Sequence, residues 1–247
     1  MKHVIPLFIG GLILFSCSYL PEEGGLDTNL KKDRGDYAVY YSGNVVPAHA
    51  FLMVPGGLVD PHVYECWIDR LVRNDPTVAV VLLKYPSNLP ITRTSKVMKV
   101  AKELDEFSHW AIGGHSLGGV VAASAVYGDT NFFDGLILMA SWSRAASDLS
   151  GWENTVLSIY ASEDQLATEE EVLGSSEFLP PGITITSPEE LATLSAQTAY
   201  FKIEGGNHAG FGCYGPQKGD GKAFIDSGEQ QDQMIGIMKS YFDVLWE

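Results

Sequence analysis

The sequence predicts an α/β fold, a mostly parallel central sheet with helices on both faces and no large lid. Three observations predict it. The 247 residues are 45% hydrophobic and 19% charged, enough chain to bury one sizeable core and an ordinary globular balance without the polar bias of disorder. From about Asp36 onward, apolar runs of strand length alternate with longer stretches of helical period, the order expected of strands joined by helices. Most of those runs are continuously apolar instead of alternating, as strands covered on both faces are.

In chain order, strands are expected at "YAVYYSG", "AFLMVP", "TVAVVLLKYP", "HWAIGG", "DGLILMAS", "TVLSIYAS" and "AYFKIEGG", with helices over 61–73, 95–107, 117–127, 165–173 and 229–246. The stretch "GSSEFLPPGITITSPEELATLSAQT" is less regular and reads as a surface excursion before the last strand. Too few residues separate "LILMAS" from "TVLSIYAS" to hold an inserted lid. No repeat or low-complexity segment interrupts the pattern, so residues 36–247 read as one domain.

The amino terminus reads differently. Lys2 and His3 precede "VIPLFIGGLILF", an apolar run too short for a comfortable membrane span and laid out like a secretory signal. Leu14-Phe15-Ser16-Cys17 resembles a bacterial lipobox, which implies cleavage after residue 16 and acylation of Cys17. Residues 1–16 are then the signal peptide and 17–35 a polar tether. Two or three acyl chains hold a bilayer far more firmly than one. The expected location is the bacterial cell envelope, exported and lipid-anchored. A net charge of −15 offers no basic stripe for phosphates, so no nucleic-acid partner is expected.

"AIGGHSLGG" places Ser116 between a strand that ends near Gly113 and a helix that starts near Leu117. A nucleophile elbow needs that setting, with small residues such as Gly114 and Gly118 around a strained turn. A helix-capping serine is the plainer reading. The string Gly114-His115-Ser116-Leu117-Gly118-Gly119 resembles the α/β-hydrolase superfamily. The likeness runs from about Ala50 to the C-terminus, with "IEGGNHAGFGCYGPQKGDG" its most distinctive part, and points to compact bacterial enzymes related to dienelactone hydrolases. Dienelactone hydrolases proper carry a cysteine where this chain has Ser116.

A serine hydroxyl needs a base to take its proton. His208 follows the last strand and comes after both serine and acid, the chain order that the resemblance implies. His62, past the end of "AFLMVP", is the second candidate. After "TVLSIY" the resemblance implies an acid at Asp164, with the adjacent Glu163 still open. The oxyanion of acyl transfer requires preorganised N–H donors. Leu117 supplies one, and Gly57 or Leu58, in the "GGLVDP" loop, the other. Pro55 stands where many relatives carry a histidine.

With Cys17 committed to lipid, Cys66 and Cys213 remain. If the loops that bear them converge on Ser116, the two form a disulfide; otherwise they are buried thiols. Trp142 is a candidate for the acyl pocket or for simple packing. No cofactor or metal is expected. The function implied is hydrolysis of a small-molecule carboxylic ester by a Ser116–His208–Asp164 triad, and the alternatives are a peptidase, a thioesterase, a haloperoxidase or a non-catalytic surface binding protein. Substrate and oligomeric state are not legible in the sequence.

Overall fold

A computed structural model of the protein describes residues 18–21, 29–193 and 197–247. The expected signal peptide and Cys17 lie outside the described residues. Among the described residues, nine strands form one sheet: β1 (Leu30–Asp33), β2 (Tyr37–Tyr40), β3 (His49–Val54), β4 (Val78–Leu83), β5 (His109–His115), β6 (Gly135–Met139), β7 (Thr155–Ala161), β8 (Gly182–Ile185) and β9 (Thr198–Ile203). Their order is β1-β2-β4-β3-β5-β6-β7-β9-β8. β2 is antiparallel to both β1 and β4. From β4 across to β8 every pairing is parallel.

Five α-helices among the described residues cover the sheet: α1 (Glu65–Asn74), α2 (Lys96–Glu103), α3 (Leu117–Gly128), α4 (Glu169–Gly174) and α5 (Ser227–Leu245). Side chains alternate across a strand, and β3 shows the consequence. Phe51 and Met53 join a core with Trp67, Ile68 and Leu71 of α1 and Met234, Ile237 and Met238 of α5. Leu52 and Val54 join the opposite core, with Val97 and Val100 of α2 and Val121, Ala122 and Val126 of α3. Both faces are therefore buried, which is why these strands read as unbroken apolar runs. Between β6 and β7 lies only a short turn at Ala145–Ser147, and no large lid interrupts the fold.

Three expectations change. The helix expected over 165–173 begins later, because Thr168 and Glu171 form a reciprocal capping box that starts α4 at Glu169. The irregular stretch before β9 contains β8, an edge strand whose only buried side chain is Ile185, too little apolar surface to advertise itself. The segment read as a tether over 17–35 is partly built into the domain. β1, with sequence LKKD, pairs with β2, and its Lys32 and Asp33 bond to Glu106 and Lys84. A short charged strand is a usual way to close a sheet edge against further pairing, and it looks polar in sequence for that reason.

Parallel pairing puts the carboxyl ends of β3, β5, β6, β7 and β9 at one edge, where α/β folds assemble their sites. Two glycines show how tightly that edge is built. A Cβ on Gly118 would strike the Val54 and Pro55 carbonyls, whereas one on Gly236, exposed within α5, would meet nothing within 4 Å. Gly118→Ala is expected to destabilise by roughly 1–3 kcal/mol. Gly236→Ala should stabilise by about 0.5–1 kcal/mol through helix propensity. Urea denaturation of the two variants beside the parent checks the opposite signs.

Candidate active site

β5 ends at His115 and α3 begins at Leu117, leaving Ser116 as the whole connection. Its backbone sits at φ 53°, ψ −126°, a region costly for any residue with a Cβ. The turn is held from several sides. The Ser116 N–H donates to the Met139 carbonyl at 2.9 Å and its carbonyl accepts from the Gly119 N–H at 3.0 Å. Ser141 Oγ donates to the same carbonyl at 2.7 Å. The Gly114 Cα lies so close to the Gly118 and Gly119 backbone that a side chain there has no room. The serine is thus in a strained, over-determined elbow, and its side chain makes no capping bond to α3, which removes the plainer reading of a helix cap.

His208 lies in the loop after β9 and Asp164 in the loop after β7; both are buried. His208 Nδ1 is 2.8 Å from Asp164 Oδ2. The other carboxylate oxygen, Oδ1, accepts from the Leu166 and Ala167 N–H groups at 2.8 and 2.7 Å. Asp164 is therefore oriented by its own turn with one oxygen left for the imidazole. Glu163 points elsewhere and accepts from Ser162 Oγ at 2.9 Å. His62 is half-exposed and bonded to Asp60 at 2.7 Å.

Around the oxyanion loop the structure separates two candidates. The Leu58 N–H donates to the Asn88 carbonyl at 2.6 Å, so Leu58 is withdrawn as a donor: a main-chain N–H already engaged in a short bond cannot turn toward a ligand. Gly57 stays available, and it packs on the elbow so closely that a Cβ there would lie 2.9 Å from Leu117 Cδ2. Leu117 is the first residue of α3, where N–H groups lack intrahelical partners and the helix dipole favours negative charge. Gly57 and Leu117, the two candidates that remain, thus lie in contact on two different elements.

Several supports escaped the sequence reading. The Tyr64 hydroxyl accepts from the Gly56 N–H at 2.9 Å and shares a 2.9 Å bond with His115 Nδ1. The His115 ring in turn lies 4.5 Å from the His208 ring. A buried chain of contacts therefore joins the oxyanion loop to the histidine. Asp220 takes the N–H groups of His208, Ala209 and Gly221 at 3.2, 2.8 and 2.8 Å. Gln230 of α5 pairs with the Asn207 backbone, accepting at 3.0 Å and donating at 2.8 Å. Gly206 and Gly210, which flank the histidine, are the sequence trace of that arrangement, since a Cβ on either would collide with Gln230.

Cys66 and Cys213 are joined in a disulfide across a sequence separation of 147, with Cα atoms 6.6 Å apart. It ties α1, which follows the oxyanion loop, to the loop carrying His208. Trp142 is half-buried and packs against the core that contains α1 and α5. A cleft of about 500 Å³ opens beside the histidine loop, lined by residues that include Ala209, Gly212, Gln217 and Lys222. Ser116 is not among the residues that line it.

A strained serine between a parallel strand and a helix, with a buried Asp–His pair on loops that leave the same edge of the sheet, is the arrangement of the α/β hydrolase class. A profile described as the alpha/beta hydrolase family matches residues 50–232, well over half of the chain. The protein belongs to the alpha/beta hydrolase family. No curated protein matches the chain significantly.

Burial holds the His115 imidazole well below its ordinary value, and the neighbouring His208 adds to the effect. The unfolded chain therefore binds a proton that the folded chain refuses, so stability is intact above the free imidazole value and falls as pH drops beneath it. The slope from this one group is up to about 1.4 kcal/mol per pH unit. Urea unfolding between pH 7 and pH 5 should show a shallower decline for His115→Gln than for the parent. His49, also held low by burial and His109, is present in both proteins and cancels. Removing the disulfide by paired Cys66→Ala and Cys213→Ala changes should cost about 2–5 kcal/mol, read in the same assay.

Proposed function

We propose that the protein is a lipid-anchored serine hydrolase that cleaves a small carboxylic ester through an acyl-enzyme intermediate. The observation that carries this reading is the pairing of His208 with Asp164 at 2.8 Å at the sheet edge that also bears the strained Ser116 elbow. In the proposed reaction Ser116 Oγ attacks the ester carbonyl carbon while His208 Nε2 takes the hydroxyl proton. Asp164 holds the ring through Nδ1 and stabilises the imidazolium. The Gly57 and Leu117 N–H groups receive the oxyanion. Collapse of the tetrahedral adduct breaks the bond to the alkoxy group, which leaves as the alcohol with the proton from His208. Water, deprotonated by the same histidine, then attacks the acyl-serine, releases the carboxylic acid and restores Ser116.

No large lid covers the sheet's carboxyl edge among the described residues, which favours short esters that reach the serine from water. Export and acylation at Cys17 belong to the same proposal. The disulfide between Cys66 and Cys213 supports export, since such bonds persist chiefly in oxidising compartments.

Ser116→Ala is expected to lower p-nitrophenyl acetate hydrolysis by on the order of 10⁶ and to abolish fluorophosphonate labelling. His208→Ala should behave alike. Asp164→Asn should lose about 10⁴, with Glu163→Gln near the parent rate. Full labelling and turnover in Ser116→Ala would overturn the nucleophile, and a larger loss in Glu163→Gln than in Asp164→Asn would overturn the acid. A series of acyl esters of graded chain length then defines the substrate class.

A further inference from the structure

The first described residues after the proposed lipid site are fixed to the active-site rim. The Tyr19 N–H donates to the Leu58 carbonyl at 2.9 Å and the Tyr19 carbonyl accepts from the Asp60 N–H at 2.9 Å, making a parallel bridge to Val59. Asn88 Nδ2 donates to Ser18 Oγ at 3.2 Å, and the Asn88 carbonyl is the group that holds Leu58. The Tyr19 ring lies 5.4 Å from that of Tyr214, six residues beyond His208 in the same loop. Tyr19 is thus gripped by the two loops that carry Gly57 and His208.

From these contacts we infer that the rim of the active site is the surface that docks on the membrane, with the bilayer holding the Cys17 acyl chains as its partner. The inference rests on the proposed anchor at Cys17 and on reading this edge as the active site. Consecutive Cα atoms are about 3.8 Å apart, so those of Cys17 and Tyr19 are separated by at most about 7.6 Å. Acyl chains on Cys17 are therefore tethered to the oxyanion loop through two residues only, a link short enough to keep the catalytic edge on the membrane side. Two exposed apolar side chains stand on the same segments: Leu20, next to Tyr19, and Ile91, three residues past Asn88, at 62% and 42% exposure. The chain's net charge of −15 gives no electrostatic attraction to an anionic surface, so this docking depends on the anchor and the apolar contacts. Amphiphilic esters partitioned into the bilayer surface then reach Ser116 alongside the short esters that arrive from water.

The test uses the full chain with its own leader, purified from membranes and reconstituted in phosphatidylcholine vesicles containing a diazirine-bearing phosphatidylcholine. After irradiation, mass spectrometry maps the lipid adducts. Expected are adducts on peptides containing Leu20 and Ile91 in about tenfold excess over the peptide with Val45 and Val46. Those valines are exposed apolar residues before β3, at the opposite edge of the sheet, and would be labelled at least as strongly by random collision. Inserting a Gly/Ser segment of about 20 residues between Cys17 and Ser18, which spans on the order of 25 Å, should erase the excess while leaving p-nitrophenyl acetate hydrolysis unchanged. An acylated N-terminal peptide with adducts spread evenly, or centred on Val45 and Val46, overturns the orientation alone. An N-terminal peptide without acyl chains overturns the anchor and the orientation together.

Discussion

The close approach of α3 to the end of β3 is the constraint on which the rest of this structure depends. Gly118 lies against the Val54 and Pro55 carbonyls, and Gly114 against the backbone of Gly118 and Gly119. With those contacts in place, β5 can pass into α3 through the single residue Ser116, at a positive φ that a free chain avoids. The cost of that conformation is offset by bonds from three directions, to Met139, Gly119 and Ser141. Widen the approach by one methyl group and the elbow, the helix start at Leu117 and the neighbouring Gly57 lose their common geometry.

From that point the site is layered outward. Asp164 is oriented by its own turn before it meets His208. His208 is positioned less by its side chain than by the backbone grip of Asp220 and by the Asn207–Gln230 pair. Tyr64 and His115 connect the loop of Gly56 and Gly57 to the histidine, and the disulfide links α1 to the same loop. Oxyanion loop and histidine loop are therefore one mechanical unit, although some 150 residues of chain lie between them. Tyr19 adds a third strap from the amino terminus.

Such preorganisation suits chemistry in which charge develops on fixed donors, because groups that need not move at the moment of reaction stabilise a transition state most effectively. Strain at Ser116 lowers stability locally, and His115, buried in its neutral form, lowers it as the pH falls below the free imidazole value. Two packed cores on either side of the sheet supply the surplus that sustains them.

The sequence by itself determined the fold class and named the residues of the proposed site. Unbroken apolar runs marked strands buried on both faces, and helical periods lay between them. A small-residue cluster around Ser116 disclosed the elbow, because sterics at that turn leave a local trace. Asp164 and His208 were legible as residues following β7 and β9, which lie side by side in the parallel sheet. What the tertiary structure decided depended on partners distant in sequence. Leu58 looked as good a donor as Gly57 until Asn88 was seen to hold it. Glu163 and Asp164 differ only in which turn claims each carboxylate. The edge strands β1 and β8 bury too little to show a pattern. Tyr19, inside an apparently polar tether, docks through main-chain bonds that any residue type can make, and backbone hydrogen bonding carries no signature in side-chain identity.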